Sequence, residues 1–393
     1  MSALAEALVA LGHAVSGADR LVGTSDRGSW PPSLVRLETL GVKVYPDDAS
    51  GIDASVDRII VSTAIEKDNP GLVRAKELGI PVVHRAAALA EVLAPFKLVA
   101  VAGTCGKSTV TAMLAHVMKS CGMDPFAVNG AAVVGWNGSV LTGKGEYAVA
   151  EVDESDKSLT AFTPHAAIIT NSSSDHYSKD EMDEVFDDFV KDVNGPLIDG
   201  RTGFFDADAS LPGAHNRQNA ALALAMAVAL GADEDKARKA LLDFPGVERR
   251  MQFVGKCGDA EVYDDYAHNP EKLHAMLTTL QQRHTKGVAV LWRPHGYGPL
   301  RKMMDALAAM FNSSLRPQDR LFLLPVYDAG GTADRSVNSD ALAAKISGCE
   351  FVETPDGAAR LLTAQASAFG AIVTAGARDP ALPVTARRLA GKE

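Results

Sequence analysis

The sequence predicts an α/β chain of parallel, doubly wound sheets, and three observations predict it. Short apolar runs alternate with helical segments along the whole length. Polar clusters follow several of these runs directly. They therefore fall at strand C-terminal ends, where open α/β sheets bind ligands. Third, the stretch VAVAGTCGKSTV, residues 99–110, reads as a buried strand, a Gly-rich turn and a helix start.

That turn has the chemistry of a nucleotide-phosphate cradle. Gly103 and Gly106 free the backbone to curl around an anion. Helix-start N–H groups and the helix dipole favour negative charge there. Lys107 adds a mobile positive charge, and Ser108 or Thr109 a hydroxyl suited to Mg²⁺. The spacing is compact: Val101 stands where GxxxxGK[ST] has its first glycine, and the nearer glycine is Gly103.

A chain of 393 residues has room for two or three domains. We read three, over 1–95, 96–245 and 246–393. Hydrophobic content of 47% and charged content of 22% suit a globular protein. A net charge of −10 argues against nonspecific nucleic-acid binding, but not against nucleotides. The four cysteines, Cys105, Cys121, Cys257 and Cys349, have neither metal-site nor disulfide-framework spacing. With no signal peptide and no apolar run long enough for a bilayer, a cytoplasmic location away from membranes is expected.

In the first region, a helix over Ala3–Leu11 closes at Gly12, and a strand over His13–Ser16 leads to Asp19. Further strands are expected at Val42–Tyr45, Ile59–Ser62 and Pro81–Val83, with helices at Ser33–Leu40 and Pro70–Leu78. This alternation implies one doubly wound sheet. It begins midway through a dinucleotide-type unit, without the first strand and its glycine loop.

The second region surrounds the phosphate loop. The next helix places Val110, Met113, Leu114, Val117 and Cys121 on one face. A strand at Tyr147–Val152 runs into Glu151, Asp153, Glu154 and Asp156, and one at Ala166–Thr170 runs into Asn171–His176. Acids between Asp180 and Asp188 read as a solvated helix face, because Met182, Val185, Phe186, Phe189 and Val190 fall at core spacing. Gly195–Ser210 reads as loop. A long Ala/Leu helix follows, and Asn216 and Asn219 lie three apart on its face, with amides able to read adenine. His215-Asn216 at a helix start also suits a cap. In the third region, strands at Val262–Asp265, Val288–Leu291, Leu321–Leu324 and Ala371–Thr374 alternate with helices.

Six segments occur in order: GTCGKST (103–109), AEVDESD (150–156), TNSSSDH (170–176), PGAHNRQNA (212–220), GVERR (246–250) and DDYAHNP (264–270). Together they resemble the Mur ligase family of peptidoglycan synthesis, over nearly the whole chain. The stretches MSALAEAL, VSGAD, VSTAI and PVVHRAAALAE look like the branch that adds L-alanine to UDP-N-acetylmuramate. The resemblance implies a Rossmann-like N-terminal domain for the UDP-sugar, a central ATPase domain, and a Rossmann-like C-terminal domain for the amino acid. It also implies ATP, Mg²⁺ and small-molecule substrates, in a monomer or weak dimer.

The resemblance implies roles residue by residue. Gly103, Thr104, Gly106, Lys107, Ser108 and Thr109 would bind ATP phosphates, with Lys107 on the β/γ phosphates. Ser108, Glu151 and His176 would hold Mg²⁺; histidine is an unusual ligand for so hard an ion, and His176 alone also reads as a hydrogen-bonded strand-end histidine. His215, Asn216 and Asn219 would bind adenine, Asp265 the ribose, and Arg250 the γ-phosphate. Domain closure would complete the site and exclude water. Ser62, Thr63, His84 and Arg85 would contact the UDP-sugar acid, and His268 and His295 lie in the region of the amine. Lys107, Glu151, His176 and Arg250 would be catalytic. Glu248, Arg249 and Asp264 read as surface or hinge charges. Cys105 reads as a small turn residue or as a low-pKa thiol.

Four features depart from the family pattern: the absent first strand, a short central domain, Ser178 in place of aspartate, and Arg293-Pro-His295-Gly-Tyr297-Gly-Pro in place of a glutamine-led segment. These leave open a ligase that adds a preformed peptide or another amine, and a non-catalytic nucleotide-binding relic. A motor or GTPase fits poorly, because the glycine spacing differs and the asparagine pair suits adenine.

Overall fold

Val99, Ala100, Val101 and Ala102 are fully buried, because their strand is central in a sheet covered on both faces. The computed structural model describes residues 1–27, 30–154, 158–172, 179–203, 205–328 and 334–392. It divides into two compact units, Met1–Val247 and Glu248–Glu393.

The first unit begins with α1 (Ser2–Ala10), β1 (Ser16–Ala18), α2 (Pro32–Thr39), β2 (Lys43–Tyr45), β3 (Ile59–Val61), α3 (Pro70–Leu78), β4 (Val82–His84) and α4 (Arg85–Leu93). It continues through β5 (Lys97–Ala102), α5 (Lys107–Ser120), β6 (Phe126–Val133), β7 (Gly138–Leu141), β8 (Tyr147–Glu151) and β9 (Ala166–Ile169). It closes with α6 (Lys179–Phe189), β10 (Leu197–Asp199), α7 (Ala214–Ala229) and α8 (Glu234–Leu242). Its main sheet has the order β10-β9-β5-β8-β6-β7, parallel except for the β6–β7 pair.

Alternate residues of each strand face opposite sides of a sheet, and the core divides accordingly. Val99, Val101, Val149 and Ile168 pack with α5, α7 and α8. Leu98, Ala100, Ala148 and Ile169 pack with α1, α4 and α6 through Leu4, Leu8, Leu93, Met182 and Phe186. Glu6 of α1 is buried against this sheet. It accepts from Arg36 Nε at 2.9 Å and from Ser139 N of β7 at 2.8 Å.

The doubly wound sheet expected in residues 1–95 is not one continuous ladder among the described residues. Among the described residues β1 pairs with β2, and β3 with β4, as two separate parallel pairs. Among the described residues, no strand hydrogen-bonds one pair to the other, as a continuous ladder requires. The expected strand His13–Ser16 lies further on, at Ser16–Ala18, because pairing with Lys43–Tyr45 sets its register.

Other elements also differ from the expectation. β10 lies inside the segment read as loop, and its pairing with β9 makes it a strand. β6 contains Asn129-Gly130, a dipeptide that favours a hairpin turn; here the strand runs through it with an irregular register between Val128 and Val133. The acidic face of α6 is not simply solvated. Arg201 pairs with Asp183 at 3.3 Å and Asp187 at 2.9 Å, and with Asp199 of β10 at 2.8 Å.

The second unit contains β11 (Gln252–Cys257), β12 (Ala260–Asp265), α9 (Pro270–Arg283), β13 (Gly287–Trp292), α10 (Tyr297–Ser314) and β14 (Arg320–Leu323). It ends with α11 (Ser339–Ala343), β15 (Cys349–Phe351), α12 (Pro355–Gln365), β16 (Phe369–Ala375) and α13 (Ala381–Leu389). The sheet order is β11-β12-β16-β13-β14-β15, antiparallel only between β11 and β12. Val288, Val290 and Leu321 face α9 and α10, and Ala289, Leu291 and Phe322 face α12 and α13.

Arg249 and Asp264 are not surface charges. Asp264 is 1% exposed and accepts from Arg249 Nε at 3.1 Å and from Thr374 Oγ1 at 2.6 Å. Arg249 also donates to Ala377 O at 3.2 Å and Gly376 O at 2.5 Å. The pair clamps the start of this unit to the end of β16.

Burial pushes the Asp264 carboxyl up to about 6, against the attraction of Arg249. A carboxyl raised in the fold favours the folded state while protonated. Its contribution is present below the unfolded value of 3.8 and is lost as pH rises through about 6. Asp264→Asn is therefore expected to remove one downward component of stability between pH 4 and 6. Thermal unfolding of the variant and the parent across that range measures the difference.

Candidate active site

The turn between β5 and α5 is shaped by two glycines that no other residue could replace without movement. Gly103 has φ +126°, and a Cβ there would lie 2.1 Å from Thr170 Oγ1. Gly106 has φ +87°, and a Cβ there would lie 2.6 Å from Asn219 Oδ1. Gly106 is also the N-cap of α5, with no side chain capping the helix start. The helix therefore presents its N-terminal end to the loop, as anion binding requires.

The loop is braced by the strand beside it. Asn171 Oδ1 accepts from Thr104 Oγ1 at 2.7 Å and from Cys105 N at 3.0 Å. Its Nδ2 donates to Cys105 O at 2.9 Å, and Thr170 Oγ1 donates to the same oxygen at 2.6 Å. Thr170 and Asn171 carry no role in the sequence reading, although they open the segment TNSSSDH. The mark was their place at the C-terminal end of a strand adjacent to the loop strand. Cys105 contributes its backbone to this bracing.

Lys107 points into the loop. Its Nζ donates to Gly103 O at 2.6 Å and to both carboxylate oxygens of Glu154, at 2.7 and 3.0 Å. Burial opposes the lysine's charge, but Glu154 and Glu151 outweigh it and hold Lys107 above its ordinary value. Burial raises Glu154, and Lys107 offsets part of that rise. Glu154 is thus a third residue of the site, after Thr170 and Asn171, that the sequence reading left unassigned.

Ser108 Oγ donates to Glu151 Oε2 at 2.7 Å, and Gly130 N donates to the same oxygen at 2.9 Å. The irregular stretch of β6 therefore positions Glu151. A hydroxyl and a carboxylate in contact are oxygen donors of the kind a hard divalent cation takes. Among the described residues, no group of three or more His, Cys, Asp or Glu could hold a metal. His176, with Asp156 and Ser178, lies outside the described residues.

Beside Glu151 is a cleft of about 240 Å³, whose lining includes Arg85, Asn129, Gly130, Asp153 and Ser158. Arg85 bridges to Asp153 at 2.8 Å. Of the four residues expected at the sugar acid, Arg85 is the one that lines this cleft. His84 is the N-cap of α4, its Nδ1 accepting from Ala86 N at 3.3 Å. Ser62 and Thr63 follow β3, half-buried and exposed respectively.

Asn216 and Asn219 are buried on α7 beside the loop. Asn219 Nδ2 donates to Asn216 Oδ1 at 3.3 Å, and Asn216 Nδ2 donates to Pro212 O at 2.7 Å. His215, their neighbour, is exposed. Thr109 is buried at the start of α5.

In the second unit, the remaining residues gather at strand C-terminal ends. Asp265 accepts from Met251 N at 2.6 Å and Ala267 N at 2.7 Å. The Arg250 guanidinium lies 4.9 Å over the Tyr266 ring. The rings of His268 and His295 meet edge-on at 4.9 Å. Burial lowers His295, and Arg378 and Lys272 add to the effect. Arg293 is held by Asp379 at 2.7 Å and Pro325 O at 3.0 Å, so this departure from the family pattern has a structural partner.

Three family models match in chain order: Mur ligase family, catalytic domain, over residues 1–97; Mur ligase middle domain over 101–191; and Mur ligase, glutamate ligase domain, over 249–378. The UDP-N-acetylmuramate–L-alanine ligase of Anaeromyxobacter sp. is 32% identical, over 89% of this chain and 85% of that protein. The chain belongs to the Mur ligase family. The enzyme of that name from Agrobacterium fabrum is 29% identical, over 100% of this chain and 96% of its own length. That alignment runs to 462 positions, so the relative carries segments this chain lacks. The solved UDP-N-acetylmuramate-alanine ligase of Thermotoga maritima matches the fold with a TM-score of 0.81 at 23% identity, over 100% of this chain and 96% of that one. A murein peptide ligase from Psychrobacter arcticus matches less closely, with a TM-score of 0.68 at 21% identity, over the same shares. The three-domain Mur ligase architecture is thus the fold of this chain.

Asn171 makes three of the loop's bracing hydrogen bonds through one side chain. Asn171→Ala is expected to weaken nucleotide binding about tenfold, through loss of hydrogen bonds worth about 1 kcal/mol each. Unchanged affinity in a nucleotide titration would count against that bracing role.

Proposed function

We propose that this chain is an ATP-dependent ligase that joins L-alanine to UDP-N-acetylmuramate through an acyl phosphate. The observation that carries the reading is the 2.7 Å contact of Ser108 with Glu151. It links the phosphate loop to the cleft holding Arg85 and Asn129. A γ-phosphate on the loop and a carboxylate in the cleft would then meet beside Glu151.

The chemistry follows from that meeting. A carboxylate oxygen of the sugar acid attacks the γ-phosphorus, and ADP leaves. The amine attacks the acyl carbon, phosphate leaves, and the amine nitrogen loses a proton. Phosphoryl transfer depends mainly on positioning and charge neutralisation. Lys107 would bind the β/γ phosphates, and Gly103, Thr104, Gly106 and Thr109 would shape their cradle. Mg²⁺, when bound, supplies further neutralisation; Ser108 and Glu151 are the donors that fit it, with His176 proposed from the family pattern.

Asn216, Asn219 and His215 are proposed for adenine, and Asp265 for ribose. Arg250, which forms no ion pair among the described residues, is proposed to supply charge to the transferring phosphoryl group. His268 and His295 are proposed for the amine, and Ser62, Thr63, His84 and Arg85 for the sugar acid. The domain division proposed is 1–95 for the sugar nucleotide, 96–245 for ATP and 246–393 for the amine. The named relatives favour L-alanine over a peptide as the amine.

Phosphate release from ATP and Mg²⁺ tests the reading. It is expected only with UDP-N-acetylmuramate and L-alanine together. Release that requires a peptide in place of L-alanine would overturn the choice of amine. Lys107→Ala is expected to reduce turnover by at least about a thousandfold; turnover close to the parent rate would remove Lys107 from the site.

A further inference from the structure

Lys107 enters the phosphate loop with all its donors in use. An ammonium group has three N–H bonds. Here they go to Gly103 O at 2.6 Å and to the two oxygens of Glu154 at 2.7 and 3.0 Å. The lysine side chain is 13% exposed and that of Glu154 is 5% exposed. A phosphate oxygen can therefore bind Lys107 only in exchange for one of these acceptors.

The two acceptors differ in their freedom to leave. Gly103 O belongs to a loop braced by Thr170 and Asn171 and packed tightly against them. Glu154 lies beyond the end of β8, past the bond from Val152 N to Val101 O. Its carboxylate reaches Lys107 on a flexible side chain. The other nearby carboxylates are engaged elsewhere: Glu151 with Ser108 and Gly130 N, and Asp153 with Arg85.

We propose that Glu154 is a positioning residue that occupies the phosphate place on Lys107 and yields it when nucleotide binds. The inference rests on the reading of Lys107 as a phosphate-binding lysine. While the loop holds no anion, Glu154 neutralises a buried cation and keeps its side chain aimed into the loop. Once phosphate arrives, two anions compete for one lysine. Glu154 thus works against nucleotide affinity and favours departure of ADP after transfer. A carboxylate that only supported the fold would have the opposite effect on affinity when removed.

The test is titration of the full chain with fluorescent mant-ADP in EDTA, where metal ligation cannot contribute. Glu154→Gln keeps an acceptor for Lys107 but removes the charge, and it is expected to bind about tenfold tighter. Glu154→Asp keeps the charge but falls short of Lys107, and it is expected to lie between the parent and Glu154→Gln. Binding equal to or weaker than the parent in Glu154→Gln would overturn the proposal. If Glu154→Gln does not fold, Glu154→Asp decides by the same sign. A parent protein that binds no mant-ADP, with or without Mg²⁺, would overturn the nucleotide reading and this inference with it.

Discussion

The buried charge of Lys107 is the constraint on which the first unit's site depends. A lysine is kept out of water at a helix start only where anions or dipoles answer it. Here the answer comes from Glu154, from Gly103 O and, at longer range, from Glu151. That arrangement requires the loop to stay tightly curled. The curl in turn requires glycine at 103 and 106, because side chains of Thr170 and Asn219 fill the space a Cβ would need.

The surrounding fold serves this requirement. β5 is flanked by β8 and β9, so both neighbouring strands end beside the loop. One delivers Glu151 and Glu154, and the other delivers Thr170 and Asn171. α7 closes the far side with Asn219 against Gly106. In the second unit the same logic applies at another sheet edge, where β12, β13 and β16 deliver Asp265, His295 and the Gly376 turn that receives Arg249. Parallel sheets put their strand ends on one edge, so residues far apart in sequence arrive together.

Much of this was legible in the chain. Strands buried on both faces read as nearly continuous apolar runs, which is why β5, β8, β9, β13, β14 and β16 were visible. The edge or irregular strands β6, β7, β10, β11 and β15 were not. β10 is three residues between a proline and a glycine, and β6 carries an asparagine–glycine pair that ordinarily turns a chain back. The Asn129-Gly130 irregularity is functional in form, because it frees Gly130 N for Glu151. Arg249 and Asp264 read as surface or hinge charges, since nothing local reveals that Asp264 is buried with the half-buried Arg249 against it.

By itself the sequence determined the phosphate loop, the order of its motifs and the family to which they belong. These are local matters: glycine tolerates unusual backbone angles, lysine carries charge, and apolar runs of the right length become strands. Only the tertiary structure decided which acid faces Lys107, which asparagine braces the loop, and which N-terminal strands pair. Those outcomes depend on contacts between segments distant in sequence, where burial turns an ordinary ion pair or amide into a strong constraint.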